Sequence, residues 1–362
     1  MGKGQPHVQK EKKKKERSIK VKKFLALVLS LALCLSVFAA CGNNDSTDNN
    51  GSQGENGNNV SNTAEQVFNT YITAEPSTLD VSRRSDTYSS SILTNTTESL
   101  VRTELHGDEY VNTPADAETW DVSDDGLVWT FHLNKNAKWE DGEPVTAQQY
   151  VYSLQRSSDP ETGCPNAFFL QPIKNFSAVN SGELPVDQLG VEATDDNTLV
   201  ITLEAALPAY LNMLSGTIYY PQRQDIVEKY GDKYGAEAES FISNGPFKVE
   251  SWTHNSSIVL VKNENYWDAE NVKLEKIVFS IMGDENTYYN AFETGDLDYV
   301  STGSAEWLQR FESNSANEMI QYPGATLSYA FYNCADELFQ NANIRKAFTL
   351  AIDRDEINEM CF

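Results

Sequence analysis

Hydrophobic and polar positions divide this chain into three regimes. Residues 24–40 form a mostly apolar run without a charge. Residues 42–63 are Asn, Gly, Ser, Asp, Glu, Thr and Gln, with Val60 the one apolar residue. From Gln66 onward, segments that alternate apolar and polar residues are interleaved with segments whose apolar residues recur every three or four positions. The first rhythm turns one face of a strand to a core, and the second does the same for a helix. A body that mixes both, with no repeat at roughly 20–50 residues, is a mixed α/β (α+β) fold and not a solenoid or propeller.

Residues 66–73 predict a strand, broken at Glu75-Pro76. Residues 90–101, with Ile92, Leu93 and Leu100, predict a helix. The clearest element is a hairpin over 118–133. Trp120 and Val122 lead into Asp124-Asp125-Gly126, and Leu127, Trp129, Phe131 and Leu133 lead out; Asp-Gly between alternating runs favours such a turn. Thr146 predicts the N-cap of a helix over 147–155, with Tyr150, Val151 and Leu154 as its buried stripe. Residues 191–194 and 198–203 flank Asp195-Asp196-Asn197 as a second hairpin. The pattern then predicts a short helix around Ala209, a helix over 225–234, paired strands at 247–249 and 257–261, a strand over 274–281, and a helix over 285–294 ending at Gly295.

Charge changes the picture. The formal net charge is −25, yet residues 1–40 hold ten Lys and Arg against two acids, leaving 18 bases and 51 acids beyond them. Such a body repels phosphate backbones, which argues against nucleic-acid binding. It also repels anionic lipid, so membrane attachment requires an anchor. The five cysteines are Cys34, Cys41, Cys164, Cys334 and Cys361. They form no CxxC and no Cys/His cluster, unlike a disulfide framework or a zinc site. A single Cys164–Cys334 bridge stays open on spacing.

The N-terminal segment reads as an address. Lys22-Lys23 precedes the apolar run, which is short of the ~20 residues a spanning helix needs. Small residues follow at Ala39-Ala40, so residues 1–40 have the layout of a secretory signal. Phe38-Ala39-Ala40-Cys41-Gly42 resembles a bacterial lipobox, although Phe38 departs from the usual Leu. That resemblance implies a diacylglycerol on the Cys41 thiol and cleavage before it. An ordinary signal peptide, or a membrane anchor with Cys41 incidental, is the alternative. Residues 1–20 form a Lys-rich stretch longer than an ordinary n-region, and we read them as a mis-annotated extension before a true start at Val21. Residues 41–63 are then a lipidated cysteine and a flexible tether with a reach of roughly 25 Å.

Catalytic chemistry has few carriers. The only histidines are His7, His106, His132 and His254, and no two stand at metal-ligand spacing. HExxH, GxSxG, GxxxxGK[ST] and GxGxxG are all absent. Asp124, Asp125, Asp141, Asp195 and Asp196 stand in turns, where a carboxylate accepts from local N–H groups. Asp284-Glu285-Asn286 lacks the spaced ligands of a calcium loop and reads as a helix start. We expect no enzyme, no metal and no cofactor; an extracellular carboxylate-dyad hydrolase is the weaker alternative.

Four ordered blocks carry a resemblance. The first runs from Ala117-Glu118-Thr119-Trp120 through Asp124-Asp125-Gly126-Leu127-Val128-Trp129-Thr130-Phe131 to Lys138-Trp139-Glu140-Asp141-Gly142-Glu143-Pro144. The others are Ser243-Asn244-Gly245-Pro246-Phe247-Lys248, Asn263-Glu264-Asn265-Tyr266-Trp267-Asp268, and Asn343-Ile344-Arg345-Lys346-Ala347-Phe348 with Asp353-Arg354. From about residue 66 onward the chain resembles the family 5 bacterial extracellular solute-binding proteins, the oligopeptide- and dipeptide-binding subunits of ABC importers. The residues themselves make Asn244-Gly245 a turn and Tyr266-Trp267 core.

The resemblance implies a periplasmic-binding-protein-like, two-lobed clamp with an extra small domain. Lobe I takes 64–101 plus 218–299, the extra domain 102–217, and 300–362 begins lobe II. Family members run well over a hundred residues further, which implies C-terminal truncation and an incomplete second lobe. The ligand is an extended peptide whose backbone pairs with the protein. Asp86, Thr87, Tyr88, Ser89 and Ser90 resemble the segment that lies along it, while the residues alone equally allow a strand-to-helix loop capped by Ser89 or Ser90. Asn166 is expected to reach the ligand from the extra domain, with Phe168 and Phe169 in the core. Implied partners are a peptide, the permease subunits of an ABC transporter, and the membrane through the lipid anchor. The chain is expected to be a monomer, outside the cytoplasm. The alternative reading is a truncated surface lipoprotein without ligand.

Overall fold

The computed structural model describes residues 65–107, 109–321 and 329–361. Residues 64–362 form one compact unit. Cys41 and the residues expected to form the signal and the tether lie outside the described residues. No helix among the described residues is long and apolar enough to cross a membrane.

Three sheets organise the unit. Strand β1 (Val67–Ile72) is followed by helix α1 (Thr87–Thr96) and a hairpin of β2 (Val101–His106) and β3 (Glu109–Pro114). Then come β4 (Ala117–Val122), β5 (Val128–Leu133), helix α2 (Ala147–Ser158), helix α3 (Phe176–Asn180), β6 (Val191–Asp195) and β7 (Thr198–Thr202). The order β4-β5-β7-β6 makes a four-stranded antiparallel sheet. Helix α4 (Gln224–Tyr230) leads to β8 (Phe247–Thr253), β9 (Ser257–Lys262) and β10 (Lys276–Ile281). These complete the sheet β1-β10-β9-β8, in which only β1–β10 is parallel. Helices α5 (Glu285–Thr294), α6 (Ala305–Glu312), α7 (Glu337–Gln340), α8 (Ala342–Ala351) and α9 (Arg354–Cys361) follow.

Each four-stranded sheet owns a core. Ile258, Leu260, Ile277 and Phe279 alternate inward from β9 and β10 and meet Ile92 and Leu93 of α1 with Leu79 and Val81 of the preceding loop. Phe131, Leu133, Leu199 and Ile201 do the same from β5 and β7, against Tyr150, Val151 and Leu154 of α2. Burying a side chain of this kind contributes about 1.5–3 kcal/mol, which makes these faces the main source of stability. The stretch 329–357 contrasts with both: it holds no buried side chain, and Phe331 and Leu350 are 84% and 72% exposed.

The turn chemistry matches the sequence reading in most places. Gly126 takes φ +70°, and Asp125 Oδ1 accepts from Leu127 N at 3.1 Å. Thr146 caps α2 in a reciprocal box with Gln149, whose Oε1 accepts from Thr146 N at 2.9 Å. Asp284 caps α5, and Gly295 ends it at φ +81°. Three expectations are corrected. The helix expected over 90–101 ends at Thr96, because Thr97 turns extended at φ −130°. Leu100 and Val101 are instead buried at the start of the β2–β3 hairpin. The helix expected over 225–234 ends at Tyr230 and continues as a 3-10 turn over Gly231–Lys233. Asn244-Gly245, expected as a turn, is instead part of an interior strap: Asn244 is buried and Gly245 N donates to Thr96 O at 2.9 Å. Cys164 and Cys334 are both free thiols, so they form no bridge.

Candidate ligand-binding site

The segment that enters α1 is held from below by a buried ion pair. Asp80, 2% exposed, takes Arg156 of α2 in a two-pronged contact, Nη1–Oδ1 2.6 Å and Nη2–Oδ2 2.7 Å. Paired forks of this kind fix orientation as well as distance. Ser82 N donates to the same carboxylate at 3.0 Å. Gln222 Nε2 links Ser82 Oγ and Ser153 Oγ, 2.8 Å each. Arg83 N and Arg84 N both donate to Asp80 O at 3.0 Å. The chain therefore leaves a rigid platform just before residue 85.

Asp86 then caps α1. Its Oδ1 accepts from Ser89 N at 2.7 Å, and its Oδ2 accepts from Ser89 Oγ at 2.9 Å and Ser77 N at 3.1 Å. Ser77 Oγ donates to the same oxygen. Burial pushes the Asp86 carboxyl upward, but the donors from Ser77 and Ser89 outweigh it and hold the group below its ordinary range. The cap is thus Asp86, not Ser89 or Ser90. Ser89 is buried beneath it, and Ser90 Oγ donates to Asp86 O at 3.2 Å. Tyr88 is half-buried, its hydroxyl accepting from Thr73 Oγ1 at 3.2 Å. Thr87 is exposed.

Asn166, 80 positions beyond Asp86 in the chain, converges on this segment. Its Nδ2 donates to Arg84 O at 3.0 Å. Both expected ligand-facing stretches therefore meet at one place. Phe168 and Phe169 do not join the core; they are 59% and 46% exposed, their rings 4.3 Å apart. The core positions of that 3-10 turn go to Ala167 and Leu170 instead. Tyr219 anchors the turn by donating to Phe169 O at 3.0 Å. Among the described residues, the N–H groups of Ser85 and Asp86 find no acceptor, and Asp86 is extended at φ −124°, ψ 164°.

A second polar cluster was not legible in the sequence. Asp116 is fully buried; its Oδ2 accepts from Tyr150 OH and Asn244 Nδ2, both 2.8 Å. Asn244 Oδ1 accepts from Glu98 N at 3.1 Å, and Tyr266 OH donates to Glu98 Oε2 at 2.5 Å. Arg102 closes the cluster on Glu98. Burial, reinforced by the charge of Glu98, pushes the Asp116 carboxyl well above its ordinary value. The cluster ties β2, α2 and the 243–245 strap together, and a cavity of about 630 Å³ opens beside it. The Ser243-Asn244-Gly245 block was the one available signal. Gly245 lacks a Cβ because one would sit 2.7 Å from Thr96 C. No group of His, Cys, Asp and Glu among the described residues is arranged to hold a metal.

The fold has counterparts among solute-binding proteins. Residues 113–362 match the family described as bacterial extracellular solute-binding proteins, family 5 Middle. The chain is 36% identical over 333 residues to the dipeptide-binding protein DppE of Bacillus subtilis, which covers 92% of this chain and 58% of DppE. It is 36% identical over 247 residues to the periplasmic oligopeptide-binding protein OppA of Salmonella typhimurium, covering 67% and 45% of the two chains. Among solved structures, the murein tripeptide binding protein MppA of Escherichia coli matches with a TM-score of 0.76 at 30% identity, over 82% of this chain and 57% of MppA. The substrate-binding domain of an oligopeptide ABC transporter from Bacillus anthracis gives 0.66 at 42% identity, over 70% and 48%.

The fold is thus mixed α/β, as the sequence pattern predicts, and of the class found in extracellular solute-binding proteins. The chain belongs to family 5 of the bacterial extracellular solute-binding proteins. It spans about half the length of the relatives it matches.

Proposed function

We propose that the chain is the substrate-binding component of an ABC importer, that it takes peptides, and that it performs no catalysis. One observation carries this reading. Ser85, exposed, and Asp86, half-buried with an extended backbone, offer N–H groups with no internal acceptor, beside the carbonyl on which Asn166 converges. An unpaired strand-like edge on a rigid platform suits pairing with the backbone of an extended peptide, which reads no sequence. Asp86 and Ser89 then act mainly by holding the segment's shape, whereas Thr87, Tyr88, Ser90 and Asn166 line its approach.

In this reading the sheet β1-β10-β9-β8 and its core belong to lobe I, the sheet β4-β5-β7-β6 to the extra domain, and 300–362 to lobe II. The protein works outside the cytoplasm as a monomer, held to the cell membrane by a lipid on Cys41 and docking on permease subunits. Cys41→Ala is expected to abolish incorporation of labelled fatty acid and release the chain from membranes; incorporation that persists in the variant removes Cys41 from the reading.

Thermal unfolding of the full chain with tri- to hexapeptides tests the ligand class. A native-state ligand at a hundred times its Kd adds about 2.7 kcal/mol of stability, so the midpoint is expected to rise with peptide concentration. A midpoint that no peptide moves contradicts this reading and favours a surface lipoprotein without ligand. Release of cleaved product contradicts the absence of catalysis.

A further inference from the structure

Six arginines lie between residues 65 and 321: Arg83, Arg84, Arg102, Arg156, Arg223 and Arg310. Five of them form ion pairs, to Asp232, Glu98, Asp80, Asp141 with Asp225, and Glu293 respectively. Arg84 forms none among the described residues, in a body where acids outnumber bases 51 to 18 beyond residue 40. Its guanidinium is partly buried. One hydrogen bond, from Nη2 to Thr217 Oγ1, occupies it, and its buried Nε finds no acceptor. Burial lowers its proton affinity from the ordinary arginine value, the direction expected of a desolvated charge short of compensation. Its backbone carbonyl is the atom on which Asn166 converges. Arg84 therefore stands at the meeting point of the two ligand-facing stretches.

We propose that Arg84 receives a carboxylate of the bound ligand, so that this protein prefers peptides that place a carboxylate beside the Ser85–Asp86 edge. The inference rests on the peptide-binding reading above and adds a specificity-determining residue to it. A guanidinium fork matches a carboxylate in geometry and charge, and a partly desolvated pair is stronger than an exposed one. Asp86 acts on the guanidinium only through space, and no carboxylate among the described residues forms an ion pair with it, so the ligand completes the pair. The exposed Phe168 and Phe169 are tied to the same 217–219 turn that Arg84 bonds, through Tyr219 OH donating to Phe169 O.

The carboxylate has two sources, an acidic side chain or a C-terminus, and three peptides separate them: Ala-Ala-Ala amide, Ala-Ala-Ala acid and Ala-Glu-Ala amide. Calorimetric titration of the full chain is expected to give at least one of the two carboxylate-bearing peptides a tenfold or greater preference over the neutral amide, and which one wins identifies the source. Arg84→Gln is expected to bring that ratio to about one, and Arg84→Lys to leave part of it. A purely structural role lowers all affinities together and preserves the ratio; that result overturns the proposal.

If no peptide binds, the peptide-binding reading fails, and a second measurement still decides on Arg84. Its Nε–Hε resonance, assigned by its loss in Arg84→Lys, is followed by NMR against acetyl-glycinate and acetyl-glycinamide. A saturable shift with the acid alone sustains the carboxylate site. No shift, or equal shifts with both, removes it.

Discussion

At the scale of single residues, the buried polar positions decide how firmly the site is presented. Asp116 sits in the interior with one oxygen bonded to Tyr150 and Asn244 and the other without a partner. Asp116→Asn keeps an acceptor for both donors and removes a charge that burial disfavours, so it is expected to cost less than about 1 kcal/mol. Asp116→Ala strands both donors and is expected to cost about 2–3 kcal/mol. Chemical denaturation of the two variants separates the outcomes; equal losses contradict the network. Gly235 makes a sharper case. It holds φ +72°, and a Cβ there would lie 2.3 Å from Asp80 N. Gly235→Ala is therefore expected to destabilise by more than about 1 kcal/mol and to disturb the Asp80 platform. Neither position was readable in the sequence. Asp116 looks like any turn acid there, and Gly235 like any surface glycine, because their roles depend on partners distant in the chain, Tyr150 and Asn244 for the first and Asp80 for the second.

At the scale of elements, the local signals were legible and the long-range ones were not. The Asp125-Gly126 hairpin, the Thr146 box and the Gly295 stop follow from neighbouring residues, and the structure keeps them. The β2–β3 hairpin escaped because its pattern is polar on both faces; beyond Val101 no residue of β2 is fully buried. One element carries its own pH response. At the tip of the β8–β9 hairpin, His254 Nδ1 lies 2.6 Å from Glu75 Oε1 and its Nε2 3.1 Å from Glu237 Oε2. Trp252 Nε1 and Asn255 N donate to Glu75 as well, each at 2.8 Å. Carboxylates only accept, so both ring nitrogens must carry protons, and the bonds to Glu75 and Glu237 raise the His254 pKa above 6.5. The stabilisation is complete below the unfolded value and is lost as pH rises through the raised folded value. The difference in melting midpoint between the wild type and His254→Gln is expected to shrink as pH rises from about 6 to about 9. A difference constant across that range contradicts the clasp. The clasp holds Glu75, which opens the loop leading to Asp86, so loosening it is also expected to weaken ligand binding.

At the scale of the whole molecule, two cores built on separate sheets flank a junction where residues 80–90, 164–169 and 217–222 meet. The four family blocks revealed the fold, yet none of them forms that junction. The first three are hairpins, turns and buried straps of the two cores, and the fourth lies in the exposed C-terminal helices. Site residues were suggested only through resemblance: the two stretches it named approach each other where Asn166 bonds Arg84 O, whereas Phe168 and Phe169 were assigned to the core on hydrophobicity alone and are exposed. The stretch 329–357, with its uncovered Phe331 and Leu350, exposes an apolar face of the kind that marks an interaction surface. The central claim is that a peptide backbone pairs with the Ser85–Asp86 edge. Amide hydrogen exchange on the full chain, with and without a saturating tripeptide, tests it most directly. The account predicts slowed exchange concentrated at residues 85–88 and around Asn166, with little change in the β4-β5-β7-β6 sheet. Peptide binding that leaves residues 85–88 unprotected, or protection centred elsewhere, would contradict it.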